Sequence, residues 1–182
     1  MKALLSILLV SAVIFIGIAM AQEWQVFASA WFGYRPEVPP ISETDQKESA
    51  ESLRHYLTLT GHLYRSNGDT RFLERLPAAP RVTDELMADI VYLRHNGRYQ
   101  EPSLERLECD EFRLLAPESI EIVTREFWII RTRSLVDGKE TDPVLSGIIR
   151  ARYRMAKEAS GWKVQAWELV SPPLGSVEEP RP

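Results

Sequence analysis

The chain has a single cysteine, Cys109, in 182 residues. An intrachain disulfide is therefore impossible and a cysteine-built metal cage is excluded. Cys109 reads as a small apolar residue within a strand. Histidine is nearly as scarce, with only His55, His62 and His95. The first two are seven positions apart, about 10 Å along a helix at ~1.5 Å per residue. That is too far to share one ion, and no third ligand offers itself. The nine glycines form no phosphate-cradling loop, and no serine occupies a nucleophile elbow. Asn67 and Asn96 are each followed by glycine, and neither begins a glycosylation sequon. A basic surplus is missing too. The 22 Lys and Arg stand against 26 Asp and Glu, a net charge of −4, without the positive footprint that a nucleic-acid binder needs. No cofactor and no metal are expected.

Charge is absent altogether from Ala3 to Ala21, nineteen residues behind Lys2. As a signal peptide this run has a basic start, an apolar centre and a small-residue exit at Ala19-Met20-Ala21. As an uncleaved anchor it is also long enough, since about 17–25 apolar residues span a bilayer. Trp24, Phe27, Trp31, Phe32 and Tyr34 follow at once, and aromatic rings favour the membrane interface. Either way the remainder is expected outside the cytoplasm, periplasmic, secreted or anchored in the cytoplasmic membrane. What is left supports one domain with a real core.

Residues 22–43 read as an aromatic and proline-rich linker, because Pro36, Pro39 and Pro40 fix φ and remove donors. Residues 171–182, with four prolines and few apolar side chains, read as a disordered tail. The folded unit is then 44–170. Its first half has a helical period: Leu53, Tyr56, Leu57, Leu63 and Tyr64 recur at three- and four-residue steps between Asp45 and Tyr64. Ser42 or Thr44 is the expected cap and Asn67-Gly68 the stop. A short helix is expected over Thr70–Leu76. A third is expected over Thr83–Asn96, capped by Thr83, burying Leu86, Met87, Ile90, Val91 and Leu93. The second half changes to a strand period, with strands expected at Leu104–Leu115, Ser119–Arg133, Gly147–Glu158 and Trp162–Val170. Short links make them antiparallel neighbours. The predicted fold is α+β: N-terminal helices packed on a curved four-stranded antiparallel sheet, preceded by an apolar export segment.

The closing strands, Ile149-Arg-Ala-Arg-Tyr-Arg-Met155 and Gly161-Trp-Lys-Val-Gln-Ala-Trp167, carry a resemblance. In this order of elements the chain resembles the nuclear-transport-factor-2-like (cystatin-like cone) superfamily. Within it, the chain looks most like the tethering-type domains grouped with the inner-membrane translocase and plastid-division proteins. Leu107 to Leu115 and Ile120 to Trp128 look like the middle strands, so the resemblance covers about Asp45 to Val170. The superfamily hosts isomerases, dehydratases and modules that only bind or tether, so the fold alone selects no function.

The enzymes of that superfamily resemble one another in using a tyrosine and a carboxylate, or a His–Asp pair, inside the cone. Here the candidates are Glu126, Tyr56 and Tyr64. Glu126 shares strand parity with Ile122, Trp128 and Ile130, which aims it inward. A carboxylate there would be desolvated and its pKa raised, as suits a general base. The competing expectation is a bulge that changes the parity, or an ion pair with a neighbouring arginine. A basic stripe is the candidate binding surface: Arg131 and Arg133 end the second strand, and Arg150, Arg152 and Arg154 alternate along the third. It would suit acidic lipid headgroups or an acidic partner segment. Cross-strand pairing with Glu108, Asp110 or Glu168 would instead leave a neutral outer face. Trp128, Trp162 and Trp167 are expected in the core or at its rim.

These observations lead to a non-catalytic extracytoplasmic binding or assembly module, secreted or membrane-anchored. Its partner would be a protein in or at the cell envelope, its membrane contact residues 1–21 if uncleaved, and it would dimerise with itself through the sheet. The alternative is a small periplasmic isomerase- or dehydratase-like enzyme with an acidic base in the cone pocket. A structural component of an envelope complex, with the anchor retained, is a third reading.

Overall fold

Ser42 starts the folded unit. Its Oγ accepts from the Asp45 N–H at 3.0 Å and donates to the Asp45 carboxylate at 2.6 Å. This satisfies a donor that the first helical turn leaves unpaired. Helix α1 (Glu43–Arg65) follows, with Glu43 and Asp45 in its first turn and His62 and Arg65 in its last. Both ends complement the helix dipole. It stops as its Asn-Gly signal predicts: Asn67 and Gly68 take positive φ, and the Gly68 N–H returns to the Leu63 carbonyl at 2.8 Å. The computed structural model describes residues 40–170. The export segment 1–21, the rest of the linker and the tail 171–182, with the expectations attached to them, lie outside the described residues. Among the described residues no helix is long and apolar enough to cross a membrane.

Helix α2 is one turn, Thr70–Leu73, shorter than expected. Helix α3 (Pro80–His95) begins three residues before the expected start. Proline at the first helical position is pre-set for helix and wastes no donor. Ala79 takes the cap position, and Thr83 instead donates from inside the first turn to the Ala79 carbonyl at 3.2 Å. Val82, Leu86 and Ile90 form the buried stripe, while Val91, expected to be buried, is 46% exposed. One position past Ile90 is about 100° round the helix, off that stripe.

Four strands follow in an antiparallel meander of order β1-β2-β3-β4: β1 (Arg98–Ala116), β2 (Ser119–Ser134), β3 (Leu145–Glu158) and β4 (Gly161–Leu169). Strand β1 starts six residues before the expected Leu104, with Arg98 to Ser103 paired to Ser134 to Ile129. Pro102 conceals that start, and it is tolerated because β1 is an edge strand. Register shifts at Glu105, Asp110 and Leu115 of β1, and at Gln165 of β4, are bulges that bend and twist the sheet. The inner face, with Ile120, Ile122, Ala151, Met155 and Val164 fully buried, packs under α1 and α3. The segment Pro77–Ala79 shields part of the β4 edge: Ala79 N–H donates to the Val164 carbonyl and Val164 N–H to that of Pro77. The result is the α+β architecture expected from the sequence.

Candidate functional site

Strand alternation fixes the central residue of the site. Ile120, Ile122, Thr124, Glu126 and Trp128 of β2 all face inward, and Glu126 is 1% exposed. Its register neighbours are Leu107 on β1 and Ile149 on β3, so no bulge has turned it outward. Three donors converge on its carboxylate. Thr124 Oγ1 and Tyr153 Oη donate to Oε1 at 2.7 and 2.8 Å, and Trp128 Nε1 donates to Oε2 at 2.8 Å. Thr124 and Trp128 flank Glu126 by two residues on the same strand face. Tyr153 arrives from β3, where its own register partner is Ile122 and the small Ala151 stands opposite Thr124.

Above this cluster lies a cavity of about 200 Å³, open to solvent on one side. Helix α1 contributes Tyr56, Leu57, Thr60 and Tyr64, and α3 contributes Leu86. The sheet supplies Gln100, Pro102, Ile130 and Ile149 around Glu126, with Trp167 at the exposed rim. Tyr56 meets Tyr153 edge to face at 6.3 Å between ring centres. Burial, and after it the Glu126 carboxylate, pushes the Tyr56 and Tyr153 phenols well above their ordinary range. Burial and then Asp89 do the same to Tyr64, whose hydroxyl is 3.5 Å from Asp89 Oδ2. All three phenols thus remain hydrogen-bond donors at neutral pH. The structure brings Glu126, Tyr56 and Tyr64 to one cavity, but the tyrosine bonded to Glu126 is Tyr153.

The arginines stand on the opposite, outer face, each beside a carboxylate. Arg133 bonds Glu101 at 2.6 Å, and Arg131 and Arg133 both approach Glu140 at 3.8 Å. Arg150 is 3.9 Å from Asp110, Arg152 pairs with Glu168 and Glu121, and Arg154 is 3.9 Å from Glu121. Exposed pairs of this kind contribute little stability, but they neutralise the stripe locally. His62 stacks on Phe72 at 5.2 Å. Among the described residues no cluster of three or more His, Cys, Asp or Glu is placed to hold a metal ion.

No family model and no curated protein matches the sequence. Among solved structures, the intermembrane space region of the chloroplast protein ARC6 matches with a TM-score of 0.61 at 13% identity, over 73% of this chain and all of that one. The chain shares the fold of that region. A ketosteroid isomerase-like protein from Erwinia carotovora atroseptica SCRI1043 also matches (TM-score 0.46, 12% identity, 72% of this chain and 100% of that one). So does the VirB8 protein of Agrobacterium tumefaciens (TM-score 0.41, 14% identity, 77% of this chain and 99% of that one).

Sequence reasoning had nominated the acid of the cone but not its partners. Thr124 and Trp128 carry a signal that parity alone could have supplied: a hydroxyl and an indole N–H at i−2 and i+2 of an inward acid. Tyr153 carries none, because its approach depends on the β2–β3 register. Nor did Thr60 and Gln100, which line the mouth of the cone, stand out from their neighbours in sequence.

Proposed function

We propose that residues 44–170 are a non-catalytic binding or assembly domain working outside the cytoplasm. It would be secreted or held at the membrane by residues 1–21, with a protein partner in or at the cell envelope. The observation that carries this reading is the bonding of Glu126. Both of its oxygens are engaged by side chains of β2 and β3, Thr124, Trp128 and Tyr153, so the acid serves the fold. The open, aromatic-lined mouth above it is left for recognition. Export is supported by Lys2 and the uncharged run Ala3–Ala21. The shared fold of an intermembrane space region in ARC6 agrees with a site of action between membranes. Homodimerisation through the sheet accompanies the proposal, and sedimentation at two protein concentrations tests it.

The test is photocrosslinking in intact cells, combined with fractionation, from a reactive residue at position 167 on the rim or 113 on the outer face. An adduct with a protein other than this chain is expected from position 167 and not from 113, in an extracytoplasmic fraction, and any adduct from 113 should be with a second copy of this chain. A cytoplasmic chain, or equal labelling of a different protein from both positions, would overturn the reading.

One observation favours the enzyme reading: Glu126, Tyr56 and Tyr64 border a single cavity. Glu126 would act as base and Tyr56 or Tyr64 as the donor to a substrate oxygen. The acid would first have to release one of its three donors. Turnover of any carbonyl or hydroxyl substrate that Glu126→Gln abolishes would establish this reading in place of the first.

A further inference from the structure

Five aromatic side chains border the cavity: Tyr56, Tyr64, Trp128, Tyr153 and Trp167. None of its lining residues is a lysine, arginine or histidine. Its one carboxylate, Glu126, is held by a threonine, a tryptophan and a tyrosine, all uncharged. Neutral donors stabilise a buried carboxylate without cancelling its charge, and an uncompensated buried charge is costly. The faces of aromatic rings are themselves electron-rich and attract cations. The acid and the rings therefore act in the same direction, favouring a positive guest and opposing a negative one.

We propose that this cavity binds a small organic ammonium ion, a quaternary or alkylated ammonium head bearing an apolar substituent. The inference rests on the cone mouth being a recognition site, as proposed above. Size fits in part: a dry cavity of about 150 Å³ takes up benzene, so about 200 Å³ takes little more than one ring's worth of guest, and the remainder extends through the open side. The bonding of Glu126 selects the type of cation. A metal ion needs several oxygen ligands and would have to displace donors from both carboxylate oxygens. A quaternary ammonium needs no hydrogen bond, so it compensates the charge through space and leaves Thr124, Trp128 and Tyr153 in place. The apolar substituent is matched by Leu57, Leu86, Ile130 and Ile149.

The test uses the full-length chain with three probes of similar size: benzyltrimethylammonium, its uncharged carbon isostere neopentylbenzene, and the anion phenylacetate. Titration calorimetry is read alongside tryptophan fluorescence, to which Trp128 and Trp167 at the cavity contribute. The cation is expected to bind at least about tenfold more tightly than the isostere, the order of one desolvated cation–π contact. Phenylacetate should bind more weakly than either.

Glu126→Gln should reduce the preference to the part that the rings carry and leave the isostere unaffected. That variant keeps the network, because an amide can accept from Trp128 Nε1 and donate to the hydroxyls of Thr124 and Tyr153. Trp167→Leu, at the 42% exposed rim, removes a ring without touching the acid and should weaken the cation about threefold or more. Equal binding of cation and isostere, or a preference for phenylacetate, would overturn the inference while the cone-mouth reading stands. Binding of none of the three would overturn it as well, and the cone-mouth reading is then decided separately by the crosslinking from position 167.

Discussion

Glu126 spends free energy on desolvation, and a buried carboxylate typically costs several kcal/mol before its bonds are counted. Hydrogen bonds to a charged group return about 1.5–3 kcal/mol each, so three of them offset the burial. Glu126→Ala is therefore expected to destabilise by about 2–4 kcal/mol. It leaves the Trp128 N–H unpaired and a void below the cavity, whereas the hydroxyls of Thr124 and Tyr153 can turn elsewhere. Glu126→Gln should cost only about 1 kcal/mol. Urea unfolding of the two variants measures the difference, and equal losses would show that the network is not what holds the acid. The tyrosines give a second residue-scale prediction. Tyr56, Tyr64 and Tyr153 have phenols pushed upward by burial, so the folded chain holds these protons more tightly than the unfolded one. Their contribution is complete below the ordinary tyrosine value near 10 and is lost as pH rises above it. An absorbance titration should show these phenols ionising late and together with unfolding, and Tyr64→Phe should shrink that late step.

At the scale of elements, stop signals were more legible than start signals. Asn67-Gly68 closes α1 as read, because positive φ is written into the residue type. The start of α3 was misplaced, since Pro80 and Thr83 both qualify locally and only the docking of Pro77–Ala79 on β4 decides between them. Strand parity placed Glu126 correctly on β2, a strand without an internal register shift against β3. It could not have done so on β1, where three bulges reset the alternation. The β3–β4 hairpin depends on Gly161 at φ 109°, a conformation that side chains avoid. Gly161→Ala should cost about 1–3 kcal/mol in strain, although a Cβ there would meet no atom within 4 Å. Thermal unfolding checks this, and an unchanged midpoint would mean that the turn relaxes freely. Ser42→Ala, by loss of the α1 cap, should cost about 1 kcal/mol.

The whole molecule was readable in class and order because helix-period and strand-period segments are separated along the chain, so α+β packing followed from which faces were apolar. The cavity was not readable, since it is a property of how far α1 stands from the sheet. The outer face was only half readable: alternation put the arginines there, but Glu121, Glu101 and Glu140 became their partners through registers that bulges and loops set. Acid stability is the property that integrates these charges. Lys157 and then Ser42 lower the Asp45 carboxyl, Arg71 lowers Asp69, the Lys139 N–H and then Ser134 lower Asp137, and Lys163 lowers Glu158. A depressed carboxylate stabilises the fold above its unfolded value, near 4, and that stability is lost as pH falls through the folded one. The unfolding midpoint should accordingly be flat near neutrality and decline below about pH 4. Because the Asp45, Asp69 and Glu158 pairs each have one solvent-exposed partner, 1 M salt should shallow that decline by screening. The part due to Asp137, whose leading cause is a backbone N–H, should persist. A decline that begins near pH 6, or that salt leaves untouched, would place the acid-sensitive group elsewhere in the fold.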